Sequence, residues 1–409
     1  MNIVLEPGAA ALLDELHRAG FGAYAVGGCV RDSLLGLAPH DWDLCTAARP
    51  GQVMELFGED RCIPTGLQHG TVTVKRDGKL YEITTFRTEG RYSDGRHPDS
   101  VAFVPDLRED LARRDFTINA MAYSAEEGLC DPFGGREDLA RGVVRAVGEP
   151  LRRFGEDALR ILRLYRFAAR FGFAIDEATE AAAKQLASHL DCVSAERIEE
   201  ELNKLLAAPQ PGAYLEPEVL AFVLPELPPE ELTKARRRID ALPAGTEQVS
   251  ARWAALLLPL GETGARKALK RLKCSNARID GAAALVRECG EKTPDTLDKC
   301  DLRLQAKRLL GKYDLHTVRQ LTALWMALAP EEKASFDALR AEAEALTAQG
   351  GCCRISQLAV NGRDLMAAGA APGPGLRRVL EALLEEVITG RLPNEKTELL
   401  AFAAGFSAS

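Results

Sequence analysis

What the chain has little of narrows its class before any motif is read. No stretch of the 409 residues approaches the roughly 18 uninterrupted apolar positions that a membrane-crossing helix needs. The opening Met1-Asn2-Ile3-Val4 lacks the pattern of a secretory signal. The ten cysteines form no Cys-x-x-Cys spacing, and only Cys352 and Cys353 are adjacent. Reduced thiols in the cytoplasm are therefore expected, rather than a zinc site or a disulfide framework. Histidine is scarce too: His17, His40, His69, His97, His189 and His316 stand apart from one another. Positive charge is not in excess, with 52 Lys and Arg against 60 Asp and Glu and a formal net charge of −8. That balance argues mildly against a nucleic-acid binder, but net charge is a poor guide when basic residues cluster, as they do here.

The length allows about two to four domains with real cores. Contents of 46% hydrophobic and 27% charged residues are ordinary for a globular protein. The stretch that organises the rest is Ala25-Val26-Gly27-Gly28-Cys29-Val30-Arg31-Asp32, running on to Asp41-Trp42-Asp43. Tyr24-Ala25-Val26 reads as a short apolar strand and Gly27-Gly28 as a sharp turn with exposed N–H groups. Cys29 to Leu35 reads as the start of a helix, whose N-terminal end favours anions. Asp41 and Asp43 are expected on a second strand, where alternation sends both to one face and Trp42 to the other. Two adjacent carboxylates repel unless a cation lies between them, and Mg²⁺ suits oxygen ligands beside a phosphate cradle. A Gly-Gly turn or a pair of surface aspartates says little alone. In this order they are the chemistry of nucleotidyl transfer.

Gly-Gly-x-Val-Arg-Asp followed by Asp-Trp-Asp resembles the active-site signature of class II tRNA nucleotidyltransferases and the related bacterial poly(A) polymerases, in the polymerase-β-like superfamily. A second stretch, Arg113-Arg114-Asp115-Phe116-Thr117-Ile118-Asn119-Ala120-Met121-Ala122, matches that family without a gap. It is expected near a helix start, with groups suited to a triphosphate and a ribose hydroxyl. Asp131-Pro132-Phe133-Gly134-Gly135 also matches and reads as a structural turn. Residues 70–74 and 80–86 read as strands joined at Asp77-Gly78, and Thr46 as a possible helix cap. Glu82 is either solvent-facing or, where the family has an acidic residue, a third carboxylate beside Asp41 and Asp43. Residues 87–98 are either a surface loop or a mobile element like the flexible loop of full CCA-adding enzymes.

From about residue 149 the pattern turns helical. Between Arg141 and Arg170 stand eight arginines against Glu149, Glu156 and Asp157. Three-residue spacing expects Asp157, Arg160 and Arg163 on one face of one helix, with Arg166 drifting round it. One reading is an ordinary surface ion pair. The other is a protein template for a base. Cytosine and adenine both present an amino donor beside a ring-nitrogen acceptor, which Asp157 and Arg160 complement; uracil and guanine are mismatched. Glu-Asp-x-x-Arg with arginines at three-residue steps resembles the family's nucleotide-recognition motif, and here it is intact. Ser194 reads as a cap for a further helix. Residues 262–278 hold six basic residues against Glu262, either a phosphate-facing patch or a solvated face.

The resemblance implies an α+β chain with a polymerase-β-like nucleotidyltransferase head built on a mixed sheet (1–148). An all-α neck for nucleotide recognition (149–207), a body for RNA binding (208–330) and a tail for tRNA binding (331–409) would follow. It implies template-independent addition of C-C-A to the 3′ end of tRNA from CTP and ATP, releasing pyrophosphate by two-metal transfer. Asp41 and Asp43 would hold Mg²⁺ and Glu82 would assist. Gly28 and Arg31 would hold phosphate oxygens, and Arg114, with Asp115 and Asn119 beside it, the sugar or triphosphate. Asp157, Arg160, Arg163 and Arg166 would hold the base and nearby phosphates. The expected partners are tRNA, CTP and ATP, with no membrane, for a monomer or homodimer. With so few histidines, the metal phosphohydrolase domain of some relatives is not expected. Three alternatives stay open: addition of part of the CCA end, poly(A) synthesis, and a catalytically silent RNA-binding module. The loop at 87–98 speaks against CC-only addition and the short tail against poly(A) synthesis. Intact Asp41, Asp43, Asp157 and Arg160 speak against a silent module.

Overall fold

A computed structural model of the chain describes residues 3–90, 101–291 and 301–406. They fall into two compact units, Met1–Pro229 and Glu230–Ser409. The first begins with α1 (Pro7–Arg18), whose Leu12, Leu13 and Leu16 are buried and whose start Glu6 caps by accepting from the Ala9 N–H. There follow β1 (Ala23–Val26), α2 (Gly28–Leu34), β2 (Leu44–Thr46), α3 (Pro50–Phe57), β3 (Cys62–Gly66), β4 (Thr71–Arg76) and β5 (Lys79–Thr85). Next come β6 (Arg87–Glu89), β7 (Val101–Phe103), α4 (Leu107–Ala112), β8 (Ala122–Ser124), β9 (Gly128–Cys130) and α5 (Gly135–Arg141).

Seven of these strands form one mixed sheet in the order β3-β4-β5-β2-β1-β8-β9, in which β2 and β5 run parallel. All four residues of β1 are buried, as a strand covered on both faces requires. Tyr24 and Val26 pack there with Cys45, Phe86, Leu111, Ala120, Ala122 and Val147. The β4–β5 hairpin turns through Asp77 (φ 49°) and Gly78 (φ 76°), the two left-handed positions that a two-residue loop demands. Thr46 ends β2 and donates to the Gly22 carbonyl instead of capping a helix. Pro50 opens α3, its fixed φ suiting a first helical position. Strands β6 and β7 pair as a small antiparallel hairpin. Of the loop expected over 87–98, residues 91–98 lie outside the described residues.

The first unit continues with β10 (Val143–Val144), α6 (Pro150–Glu156), α7 (Leu159–Phe171), β11 (Ala174–Ile175), α8 (Glu177–Gln185), α9 (Ala195–Leu206) and α10 (Pro217–Val223). Ser194 precedes α9 as expected, but its hydroxyl makes no capping bond. The second unit comprises α11 (Leu232–Asp240), α12 (Val249–Leu257), α13 (Gly261–Arg271), α14 (Asn276–Glu291) and α15 (Leu302–Lys312). It ends with α16 (Leu315–Leu328), α17 (Lys333–Ala348), α18 (Gly362–Ala367), α19 (Pro374–Ile388) and α20 (Lys396–Phe406). No strand occurs there among the described residues. Trp253 and Arg252 are fully buried in α12, and Leu365, Leu383, Val387, Leu399 and Ala403 gather into a further core. No described helix is long and apolar enough to cross a membrane. The boundary between units, at 229/230, falls inside the span expected for the body, and the expected borders at 148, 207 and 330 are finer than this division.

The Asp131 turn is structural, as expected. Its carboxylate accepts from the N–H groups of Gly135 (2.7 Å) and Arg136 (2.8 Å) at the start of α5. A Cβ on Gly135 would lie 2.2 Å from the Thr117 carbonyl oxygen, which already accepts from the Ala120 N–H. Gly135→Ala should therefore cost about 1–3 kcal/mol of stability through overpacking. Urea unfolding of the variant beside the parent checks this.

Candidate nucleotide site

Gly27 has φ 76° and ψ −121°, a backbone that few side chains tolerate. A Cβ there would also stand 2.8 Å from Arg114 Nη1, so the turn calls for glycine and its bare Cα lets the guanidinium lie close. Gly28 then opens α2. Arg31 is only 3% exposed. Its Nε donates to Asp32 Oδ1 at 2.8 Å, its Nη1 donates to Asn119 Oδ1, and its guanidinium carbon lies 5.2 and 5.0 Å from the rings of Phe167 and Phe171. The residue expected to hold a phosphate is here a tie between α2, the Asn119 turn and α7.

Asp41 and Asp43 precede β2, which starts at Leu44, so strand alternation does not set them on a common face as expected. Sheet pairing places Asp43 all the same. Its carbonyl accepts from the Val26 N–H at 3.0 Å. Leu44 stands opposite Ile83 in the parallel β2–β5 register, which puts Asp43 beside Glu82 one position earlier. Asp43 touches solvent, yet surrounding protein removes enough hydration to push its carboxyl up, and Glu82 and Asp41 add to that while Arg114 opposes it. Glu82 and Asp41 thus both act on Asp43. Asp41 is turned outward to His40, with Nδ1 and Oδ2 3.0 Å apart. His40-Asp41 is the one adjacent His-Asp pair in the chain, and it belongs to this site. Among the described residues, no three metal-ligating side chains converge as they stand. The donor set nonetheless suits a hard divalent cation, since Asp41, Asp43 and Glu82 offer carboxylate oxygens.

The second motif lies at a helix end, not at the expected start. Helix α4 closes at Ala112 with Arg113 as its C-cap, where cations complement the helix dipole. Arg113 bonds the fully buried Asp110 at 2.9 Å, and Arg114 lies 3.6 Å from the same carboxylate. Asp115 is buried beneath them. Its Oδ1 accepts from the Phe116 N–H (2.8 Å) and from Asn119 Nδ2 (3.0 Å). Its Oδ2 accepts from Arg163 Nε (2.8 Å) and Nη2 (2.6 Å). Burial by itself would push this carboxyl up, but Arg163, the Asn119 bond and Arg160 outweigh it and hold the group well below the usual carboxylate range.

The single helical face expected for Asp157, Arg160 and Arg163 is broken. Helix α6 ends at Glu156 and α7 begins at Leu159, with Asp157 extended between them (φ −143°, ψ 105°). Its carboxylate accepts from the Leu159 N–H (Oδ1, 3.0 Å) and from Arg197 Nη2 (Oδ2, 2.8 Å). The helix-surface ion pair with Arg160 is absent as well. Arg160 is buried and donates to Glu156 (2.8 Å) and to the carbonyls of Arg153 (3.1 Å) and Arg113 (3.2 Å). Arg163 joins Asp115, while Arg166 pairs with the buried Glu201 and lies 4.0 Å from the Phe167 ring centre. Arg197 and Glu201, both on α9, escaped the sequence reading. Arg197 lies 40 residues from Asp157 and Glu201 lies 35 from Arg166, with no local spacing to mark them.

Comparison with known proteins gives the following. Residues 23–145 match the family model described as "Poly A polymerase head domain". Residues 172–228 match "Probable RNA and SrmB- binding site of polymerase A", and 245–403 match tRNA nucleotidyltransferase domain 2. A CCA-adding enzyme of Limosilactobacillus fermentum is 38% identical over 397 residues, 96% of this chain and 95% of the relative. One from Latilactobacillus sakei is 39% identical over 400 residues, 96% of each chain. The crystal structure of the Bacillus stearothermophilus CCA-adding enzyme in complex with CTP superposes with a TM-score of 0.80 at 34% identity, covering 99% of this chain and 98% of that one.

The Asp115 knot yields a signed pH prediction. A carboxyl whose folded value is depressed contributes stability that is present above its unfolded value of about 4 and is lost as pH falls toward the folded one. Asp115→Asn should lower unfolding free energy at pH 7 by about 2–3 kcal/mol, less than a fully buried pair gives because Arg163 keeps 35% of its side chain in solvent. Between about pH 5 and pH 3 the variant should lose less stability than the parent. Urea titrations at both pH values check the sign.

Proposed function

The chain belongs to the family of CCA-adding enzymes, and on that premise we propose how its head works. The 3′-hydroxyl of a tRNA attacks the α-phosphate of CTP or ATP, pyrophosphate leaves, and C, C and A are added in turn without a nucleic-acid template. The observation that carries this reading is the meeting at β1 and β2 of a glycine turn, the Arg114 guanidinium over it, and Asp43 among other carboxylates. A divalent metal ion serves this family; we assign it as Mg²⁺, which on Asp41 and Asp43 would lower the pKa of the attacking hydroxyl and neutralise the triphosphate.

The chain's own residues do the rest. The Gly27 N–H is held by the Met121 carbonyl, so the turn offers a triphosphate the start of α2 at Gly28, without a Cβ and with Arg114 Nη1 beside the turn. Glu82, in register with Asp43, adds negative charge on the metal side. Arg31, Asp115 and Asn119 fix α2 against α7 and aim Arg163, while Glu201 steadies Arg166. Asp157 accepts from the amino group of cytosine or adenine, and Arg160 donates to the ring nitrogen after exchanging a protein acceptor for the base. The division into head, neck, body and tail, with tRNA held by the last two, belongs to the same proposal. So does the cytoplasm as location: all nine described cysteines are free, six of them buried, which suits a reducing compartment.

The test is direct. Purified protein is incubated with tRNAs ending in N, NC and NCC, supplied with CTP, ATP or both, and product lengths are read. Every substrate should end as NCCA when both nucleotides are present. Arrest at NCC, failure to add C, or long tails from ATP alone would replace the proposal by partial addition or poly(A) synthesis. Asp41→Asn and Asp43→Asn should each abolish incorporation and leave tRNA binding nearly intact; activity like the parent's would remove those carboxylates from the mechanism. Asp157→Asn, which supplies both a donor and an acceptor, should use CTP and ATP less well and UTP or GTP relatively better. The expected loss of discrimination is roughly ten- to a hundredfold.

A further inference from the structure

We propose that Arg197 is a positioning residue for nucleotide selection, acting through Asp157; this rests on the reading that Asp157 accepts the amino group of the incoming base. Asp157 lies in a two-residue break between α6 and α7, outside helical geometry, so the backbone ladder does not fix where its carboxylate points. Two donors fix it. The Leu159 N–H takes one lone pair of Oδ1 at 3.0 Å, and Arg197 Nη2 takes one of Oδ2 at 2.8 Å. An ionised carboxylate has about four lone-pair sites, so both oxygens keep capacity for a further donor. With Arg197 in place the group is held at both ends and stays an acceptor only.

Discrimination needs that rigidity. An acceptor-only carboxylate attracts the amino group of cytosine and repels the carbonyl that uracil presents at the same edge. Were Arg197 absent, the carboxylate would hang from the Leu159 N–H alone and turn about its last side-chain bond. Cytosine would then lose its acceptor and uracil its repulsion, so the ratio between them falls from both sides. Arg197 comes from α9, leaves 21% of its side chain exposed, and takes no part in the carboxylate cluster at β2. Its loss is therefore expected to change base preference without altering metal dependence.

The experiment measures single-nucleotide addition to a tRNA ending in N, with CTP or UTP, for the parent, Arg197→Ala, Arg197→Lys, Arg197→Gln and Asp157→Asn, alongside each protein's melting temperature. Arg197→Ala should lower the CTP-over-UTP ratio of kcat/KM about tenfold or more, raise KM for CTP, and leave KM for tRNA and the Mg²⁺ dependence unchanged. Arg197→Lys, which keeps a charged donor, should restore most of the ratio. A merely structural role would lower the melting temperature and overall rate of both variants while keeping the ratio, and that result overturns the proposal. If Arg197→Ala does not fold, Arg197→Gln decides on the same readout: a lowered ratio at the parental melting temperature supports the charged tie, and a parental ratio overturns it. Loss of the ratio in Arg197→Lys with tRNA KM unchanged instead assigns the role to the guanidinium. A ratio that moves in Asp157→Asn but not in Arg197→Ala overturns the role of Arg197 alone. A ratio that moves in neither removes the base-reading role of Asp157 itself.

Discussion

The buried carboxylate of Asp115 is the constraint on which the polar centre of the first unit hangs. It accepts from a backbone N–H, from Asn119 and twice from Arg163. Asn119 in turn accepts from Arg31, which is flanked by Phe167 and Phe171, and Asp32 takes Arg170 of the same helix. The glycine turn, the Asn119 turn and α7 are thus one connected polar network with an aromatic wall. A buried network of this kind is stabilising only when its members are satisfied together. Any change in the tilt of α7 is therefore felt at the glycine turn.

Around that network the charges are arranged by need. Arginines lie where carboxylates or carbonyls wait for them: Arg113 on Asp110, Arg163 on Asp115, Arg166 on Glu201. Asp43 is the exception, since two of its charged neighbours are carboxylates and its counter-charge is Arg114 alone among the groups that act on it. Loss of hydration does most to disfavour the ionised group, and the two carboxylates add to it. Arg114 is held against the glycine turn by space, not by a strong bond, because its nearest carboxylate is 3.6 Å away. A guanidinium so placed remains free to meet a phosphate.

The residues at the α6–α7 break show a second economy. The side chains of Asp157 and Arg160 do not bond each other; each is held by other protein groups, Asp157 by Arg197 and Arg160 by Glu156 and two carbonyls. On the reading proposed above, side chains already held in the protein would lose little freedom when a base arrives, Asp157 keeping its ties and Arg160 exchanging one. A surface ion pair between the two would have had to break first.

Much of this was legible in the sequence, and the limit is physical. Gly27-Gly28 before an apolar helix start, the Asp77-Gly78 hairpin, the Asp131 turn and the helical second half follow from short-range rules: glycine's access to positive φ, side-chain capping, and apolar periodicity. The gapless match of Arg113 to Ala122 pointed to the right neighbourhood but not to its geometry, because Arg113 and Arg114 follow a helix end. Likewise, three-residue spacing cannot show that a helix stops at Glu156 and restarts at Leu159. At that break the Asp157 carboxylate is held by the Leu159 N–H and by Arg197, 40 residues away. Nor does alternation along one strand make Asp43 and Glu82 neighbours. The parallel register of β2 on β5 does that, and register is a property of two chain segments packed over a shared core. The sequence by itself therefore determined which residue types and turns the chain would use. Only the tertiary structure decided which charges meet, because charges separated by 40 residues are paired by packing and not by spacing.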